Sequence, residues 1–307
     1  MTATLAGRDA GTIEVLRIVS RQIGIALAAV TVAKPSDASI HLARKSIKKA
    51  RALWRMLRYA LPAATYRQAN TRLRDAGRPL GAARDAKILV IALDTALKGN
   101  GSLAGTRALK ALRHALVLNG SAIKQAVMRE STGIELSRRE LRSTQQRIKN
   151  CSIAARGWPV IGKGLRRTYA GGRRAYHRAH GDRDAEHLHE WRKQVQYLHH
   201  QLAALKPLRR GRIGKLASAT GELSERLGDD HDLAVLRMRI LEQSGAFLSA
   251  AQQAQVVAMI DRERARLQNS AFMLGARTYE KKPAGFAARF GGYWHEWRRT
   301  RAKAKGI

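Results

Sequence analysis

Two short stretches of this chain carry the same spaced set of polar side chains. His41, Arg44, Lys45, Lys48, Lys49 and Arg51 align with His189, Arg192, Lys193, Gln196, Tyr197 and His199. Arginine offers a planar fork of donors that matches phosphate oxygens, and lysine a compact point charge. Histidine on the same face adds a further donor, and a bound polyanion would favour its protonation. With about 100° per residue, Arg44, Lys45, Lys48 and Arg55 share one helical face with His41. Arg51 and Arg58 lie at one edge of it and Lys49 at the other. Ala43, Ile47, Ala50, Leu53, Trp54 and Leu57 take the opposite face. The periodicity predicts a helix over Asp37–Ala60, about 36 Å long, with its cationic stripe opposed to its apolar one. Like charges at this spacing repel, so the stripe is suited to an extended anion lying along it.

The second copy keeps the phase, with Trp191, Val195, Leu198 and Leu202 behind the polar residues. Asp37 and Asp184 are predicted to cap the two helices. Downstream, Leu80-Gly81-Ala-Ala-Arg84-Asp85 matches Leu227-Gly228-Asp-Asp-His231-Asp232, and the spacing from histidine to aspartate is 44 residues in one copy and 43 in the other. Two motifs kept in register over that distance indicate an internal duplication. Asp85 and Asp232 have two readings, as helix caps or as side chains that hold a motif cation in place.

Other basic runs are expected beside the histidine helices: Arg107, Lys110 and Arg113 on one, and Arg166, Arg167, Arg173, Arg174 and Arg178 in a segment free of acid. No metal site is predicted. The histidine spacings lack the i,i+4 pair of a helical zinc site, and the Asp229–Asp232 cluster has no counterpart in the first copy. Gly157–Gly164 matches a phosphate-binding loop only until its last position, where Gly164 replaces the hydroxyl residue. Cys151 reads as packing. No paired general acid and base is visible, which favours binding over catalysis, with phosphohistidine chemistry on His41 or His189 as the enzymatic alternative.

The elements that must position these residues are all helical. Segments rich in Ala, Leu and Arg alternate with Gly/Pro breaks, and strand-like alternation is missing. Helices are predicted over 14–32, 37–60, 83–97, 106–129, 162–179, 184–205, 213–227, 231–242, 249–274 and 283–302. The 307 residues hold 58 Lys and Arg against 23 Asp and Glu, a net charge of +35. Such a charge is costly through self-repulsion unless a polyanion neutralises it. Hydrophobic residues make up 45%, enough for a sizeable core. A single cysteine excludes an intramolecular disulfide framework. No stretch is long and apolar enough to span a bilayer, and the N-terminal residues do not read as a signal peptide, so a cytoplasmic setting is expected and no membrane partner. Nucleic acid competes as a partner on charge alone, but no base-reading motif is evident and aromatics are only 5%.

In these motifs the chain resembles the CHAD domain family, named for its conserved histidines and α-helical content. The resemblance rests on His41, Arg44, Lys48, Lys49 and Arg51; on His189, Arg192, Lys193 and Tyr197; and on both Leu-Gly-x-x-x-Asp elements. It extends to Gly164–Tyr169, Gly172–Arg174, Glu280–Pro283 and the Trp294/Trp297 ending. It implies two pseudo-symmetric four-helix bundles, over residues 12–150 and 151–300, followed by a basic tail at 301–307. A basic groove or pore between the bundles would bind inorganic polyphosphate, without cofactor, at polyphosphate granules. The Glu-x-Glu-x-Lys signature of the triphosphate-tunnel (CYTH) domain found fused to many relatives is absent, so a stand-alone binding module is expected. Gln196 and His199 stand where the family usually has basic residues, which predicts weaker phosphate binding by the second half.

Overall fold

A computed structural model describes residues 11–33, 35–98, 105–129, 132–151, 153, 155–243, 245 and 247–303, with the side chains at 82–87, 123–129, 243 and 303 not among those described. The described residues form helices α1 (Thr12–Thr31), α2 (Asp37–Met56), α3 (Ala63–Gly77), α4 (Ala82–Ala96), α5 (Arg107–Arg129), α6 (Thr132–Lys149), α7 (Trp158–Asp182), α8 (Ala185–Leu205), α9 (Arg210–Gln243), α10 (Ala250–Thr278) and α11 (Pro283–Lys303), with a 3-10 turn at Lys206–Leu208. No strand occurs among them, and no helix is long and apolar enough to cross a membrane.

Helices α3 and α6 were not predicted. Their buried faces explain why. In α3 the stripe is Tyr66, Ala69, Leu73 and Ala76, and in α6 it includes Ser137, Glu140 and Thr144 beside Ile134, Leu141 and Ile148. Small and polar residues at helical spacing leave little hydrophobic periodicity to read. The break predicted at Gly228 is also absent, and α9 runs through it. Buried positions at Ile213, Ala217, Thr220, Leu223, Leu227, Asp230, Leu233, Leu236 and Ile240 keep a three-to-four residue step across the glycine. Helix α7 starts at Trp158, four residues earlier than expected, and α11 ends at Lys303, one residue past its expected end.

Capping sets where the histidine helices begin. Ser36, not Asp37, caps α2, its hydroxyl accepting the Ser39 amide at 3.1 Å. Asp184 caps α8 as expected, accepting the amides of Glu186 and His187 at 2.8 and 3.3 Å.

Helices α1, α2, α3 and α6 each pack on the next and close a ring, while α7, α8, α9 and α10 succeed one another likewise and α11 lies on α7. Helix α2 also packs on α7 and α8. The main core therefore draws on helices from both sides of residue 150, from Val15 to Trp294. A smaller core of Leu93, Leu97, Leu109 and Leu112 with Leu236, Ile240 and Ile260 seats the α4–α5 pair on α9 and α10. Where α7 meets α2 the backbones nearly touch. A Cβ at Gly164 would lie 2.4 Å from the Met56 carbonyl oxygen, so only glycine allows the two helices this approach.

Candidate functional site

Helix α2 presents His41 and Lys45 at exposed positions, with Arg44, Lys48 and Lys49 half-buried beside them. Its apolar face is buried as predicted. Arg44 donates to the Leu80 carbonyl. On α8, the Arg192 guanidinium lies against Gly228, where a Cβ would come 3.7 Å from Nε. Each motif arginine thus leans on the Leu–Gly pair of its own copy, which explains why the two motifs keep a fixed separation in sequence.

The two histidine helices meet where the Gln201 amide donates to the Ala52 carbonyl at 2.8 Å and to the Thr168 hydroxyl of α7 at 3.1 Å. Beside this crossing the Arg55 guanidinium carbon sits 4.0 Å from the centre of the Tyr197 ring, a cation–π contact. Arg51 lies among Tyr197, Arg55, Arg74 and Tyr66, and burial together with the neighbouring arginines holds its pKa below the ordinary value. The Nε atoms of both Arg51 and Arg55 are buried without a hydrogen-bond partner. Burial and then Lys45 lower Lys49. His200 faces the same lysines from α8. Burial, reinforced by His199, Lys49, Lys48 and Lys45, pushes its pKa down to about 3. Among the described residues no carboxylate engages Lys45, Lys49, Arg51 or Arg55 in an ion pair. The result is a half-buried, uncompensated cluster of cations and neutral imidazole.

The second copy treats its motif residues differently. Lys193 Nζ is held by Glu190 at 2.5 Å. His199 Nδ1 donates to the Ala217 carbonyl of α9 at 3.0 Å, and its ring edge covers Gly221. Tyr197 is buried under Arg55, and Gln196 is half-buried. His189 packs against His231 with ring centres 4.7 Å apart, and its Nδ1 is buried without a partner. Burial, then Lys193 and Arg192, lower the His189 pKa. Burial, then Arg192, His189 and Arg264, bring His231 to about 4. Next to it Asp230 is buried and accepts from Arg264 Nε at 3.0 Å and the Gln268 amide at 2.9 Å. Burial still raises its pKa against those partners.

Sequence reasoning missed Arg74 and the Asp230–Arg264–Gln268 network. The aspartate cluster was noticed, but the carboxylate that is buried is Asp230, two residues before the expected Asp232, which is half-buried on α9. The α9 burial period would have singled it out. The Asp85 side chain lies outside the described residues. No group of three or more metal-ligating side chains suited to an ion occurs among the described residues.

The outlying basic runs separate. Arg107, Lys110 and Arg113 are exposed on α5, which packs on α4 rather than on α2 or α8, and Arg113 is bound to Asp94 at 2.7 and 2.9 Å. Helix α7 does lie against both α2 and α8, but its arginines split. Gly164, Thr168 and Gly171 face Met56, Gln201 and Gln194, whereas Tyr169 stacks on Phe286 of α11 at 3.8 Å. With about 100° per residue, Arg167, Arg174 and Arg178 flank the side toward α8, and Arg166 and Arg173 the side toward α11. Burial pushes the half-buried Cys151 thiol up, away from a reactive thiolate.

The family model described as CHAD domain matches residues 20–241. The chain belongs to the CHAD domain family. A crystal structure of the CHAD domain from the plant Ricinus communis superposes with a TM-score of 0.54 at 18% identity, covering 89% of this chain and 91% of that one. At that identity the likeness to the plant CHAD domain concerns the fold. A comparison with curated proteins finds no match.

Proposed function

We propose that this CHAD protein is a non-enzymatic binder of inorganic polyphosphate. The polymer would lie in a basic groove along α2 and α8, between two pseudo-symmetric helical bundles formed by residues 12–150 and 151–300. His41, Arg44, Lys45, Lys48, Lys49, Arg51 and Arg55 supply the main contacts, with His189, Arg192 and the α7 row of Arg167, Arg174 and Arg178 at the margin. The observation that carries this reading is the uncompensated cluster at the helix crossing, above all the buried Nε donors of Arg51 and Arg55. A buried donor left unpaired costs about 1–3 kcal/mol, and a phosphate oxygen would relieve that cost. Cytoplasmic association with polyphosphate granules fits this activity.

Binding through many phosphate contacts should fall steeply with salt as condensed counterions are released. The test is a competition at physiological salt, with labelled long-chain polyphosphate displaced by duplex DNA matched for phosphate. Displacement only at large excess is the expected result. One-for-one competition would make the protein a general polyanion or nucleic-acid binder instead.

A further inference from the structure

The arginines that α7 turns away from the histidine helices are not scattered. Arg166 and Arg173 flank Tyr169, which is fully buried. The Tyr169 hydroxyl donates to the carbonyls of Thr278 and Lys281, at 3.1 and 2.9 Å. Arg173 Nε donates to the Tyr279 carbonyl at 3.2 Å. These bonds clamp the α10–α11 connection to α7 and fix the backbone from which Lys281 and Lys282 project. Phe286 stacks on the same Tyr169 ring, and one turn further along α11 stands Arg289, near enough, like Arg173, to favour the Tyr169 phenolate against the burial that raises its pKa to about 12. Arg166, Lys281, Lys282 and Arg289 are exposed. Among the described residues none of the five cations is engaged by a carboxylate, and Glu280 is the one acid in the connection.

We infer that this α7–α11 face is a second polyanion site, taking a separate segment of inorganic polyphosphate from the one held along α2 and α8. The inference rests on the proposed function. It follows from the same charge logic on a different surface. The cations are mounted on a clamped backbone, so little ordering is needed when a polymer binds. The aromatic rings beneath them, Tyr169, Tyr279 and Phe286, are all buried. They form a floor and not a stacking platform, which disfavours nucleic acid, whose single strands are held by exposed aromatics. Helix α7 carries one arginine row toward each site, so a single molecule could hold two segments at once. A long polymer held at one face is then captured by the other at the high effective concentration set by the first engagement, and where the two faces hold different polymers the protein cross-links them.

The test is calorimetric stoichiometry with short polyphosphate chains, beside light scattering with long chains. The full chain is compared with the triple variant Arg166→Glu, Lys282→Glu, Arg289→Glu, all at exposed positions, with a thermal melt confirming the fold. The wild type should bind two short chains and scatter strongly with long ones. The variant should bind one short chain with unchanged affinity and lose the scattering. One short chain bound by the wild type, or two by the variant, would overturn the second site while leaving the proposed function standing. No short chain bound by either protein would overturn the proposed function itself. A variant that loses DNA binding but keeps both polyphosphate events would show that the face takes a different polyanion.

Discussion

The two histidine helices carry matching polar motifs but hold their charges differently. On α2, among the described residues, Lys45, Lys49, Arg51 and Arg55 form no ion pair with a carboxylate, and the two arginines keep buried donors unpaired. On α8 the matching residues are occupied within the protein, Lys193 by Glu190 and His199 by the Ala217 carbonyl. The second motif also has Asp230, paired with Arg264 across to α10, where the first has Ala83. Motif residues shared by both copies can therefore serve a ligand in one and the fold in the other, and only the neighbours decide which.

The largest effect expected from this contrast is on stability. Removing one partner of a buried ion pair costs about 3–5 kcal/mol, so Asp230→Ala should lower the denaturant midpoint by about that equivalent while leaving polyphosphate affinity within twofold. A parallel loss of affinity in the folded variant would show that the second copy does hold the polymer. Next comes a matched pair of double variants. Each motif arginine leans on its own Leu–Gly element, so the comparison is balanced. Arg44→Ala with Lys48→Ala should weaken polyphosphate binding on the order of 100-fold, since hydrogen bonds to charged groups contribute about 1.5–3 kcal/mol each. Arg192→Ala with Lys193→Ala should cost only a few-fold. The reverse ranking would sink the asymmetry.

Acid pH provides a smaller lever. His200 and His231 stay neutral in the folded chain down to about 3 and about 4, against an ordinary 6.5. The unfolded chain takes up those protons first, so stability is lost as the pH falls below the ordinary value and toward the folded ones. The melting temperature should drop by about 2–4 °C between pH 7 and pH 5. Polyphosphate, which favours the protonated rings, should reduce that drop, and a melting temperature indifferent to pH and polymer alike would contradict the placement of these imidazoles. The smallest effect is a gain. Glu190→Gln releases Lys193 and should tighten binding about threefold, in keeping with the modest strength of an exposed ion pair. No gain would mean that Lys193 does not face the polymer.

Much of this was legible in the sequence. Helices α2 and α8 announce themselves because Trp54, Leu57, Trp191 and Leu198 recur at helical spacing behind a polar face. The long α9 did not, because a glycine was read as a break, although Leu223, Leu227, Leu233 and Leu236 carry the buried stripe straight past it. Helices α3 and α6 stayed hidden behind alanine, serine and threonine. At the site, residue type and spacing identified the cations but not their compensation. The Glu190–Lys193 pair is an i,i+3 contact within α8, whereas whether His199 turns into α9 and which side of α7 an arginine takes are settled by packing between helices. A helical wheel for one segment does not contain that information.

Lysine footprinting reads the central contrast in a single experiment. The accessible amines would be labelled at physiological salt with and without saturating short-chain polyphosphate, and the modification of each lysine compared. Lys45, Lys48 and Lys49 should become strongly protected, while Lys193 and Lys110 change little. Equal protection of Lys193 and Lys110, or none on α2, would contradict the account.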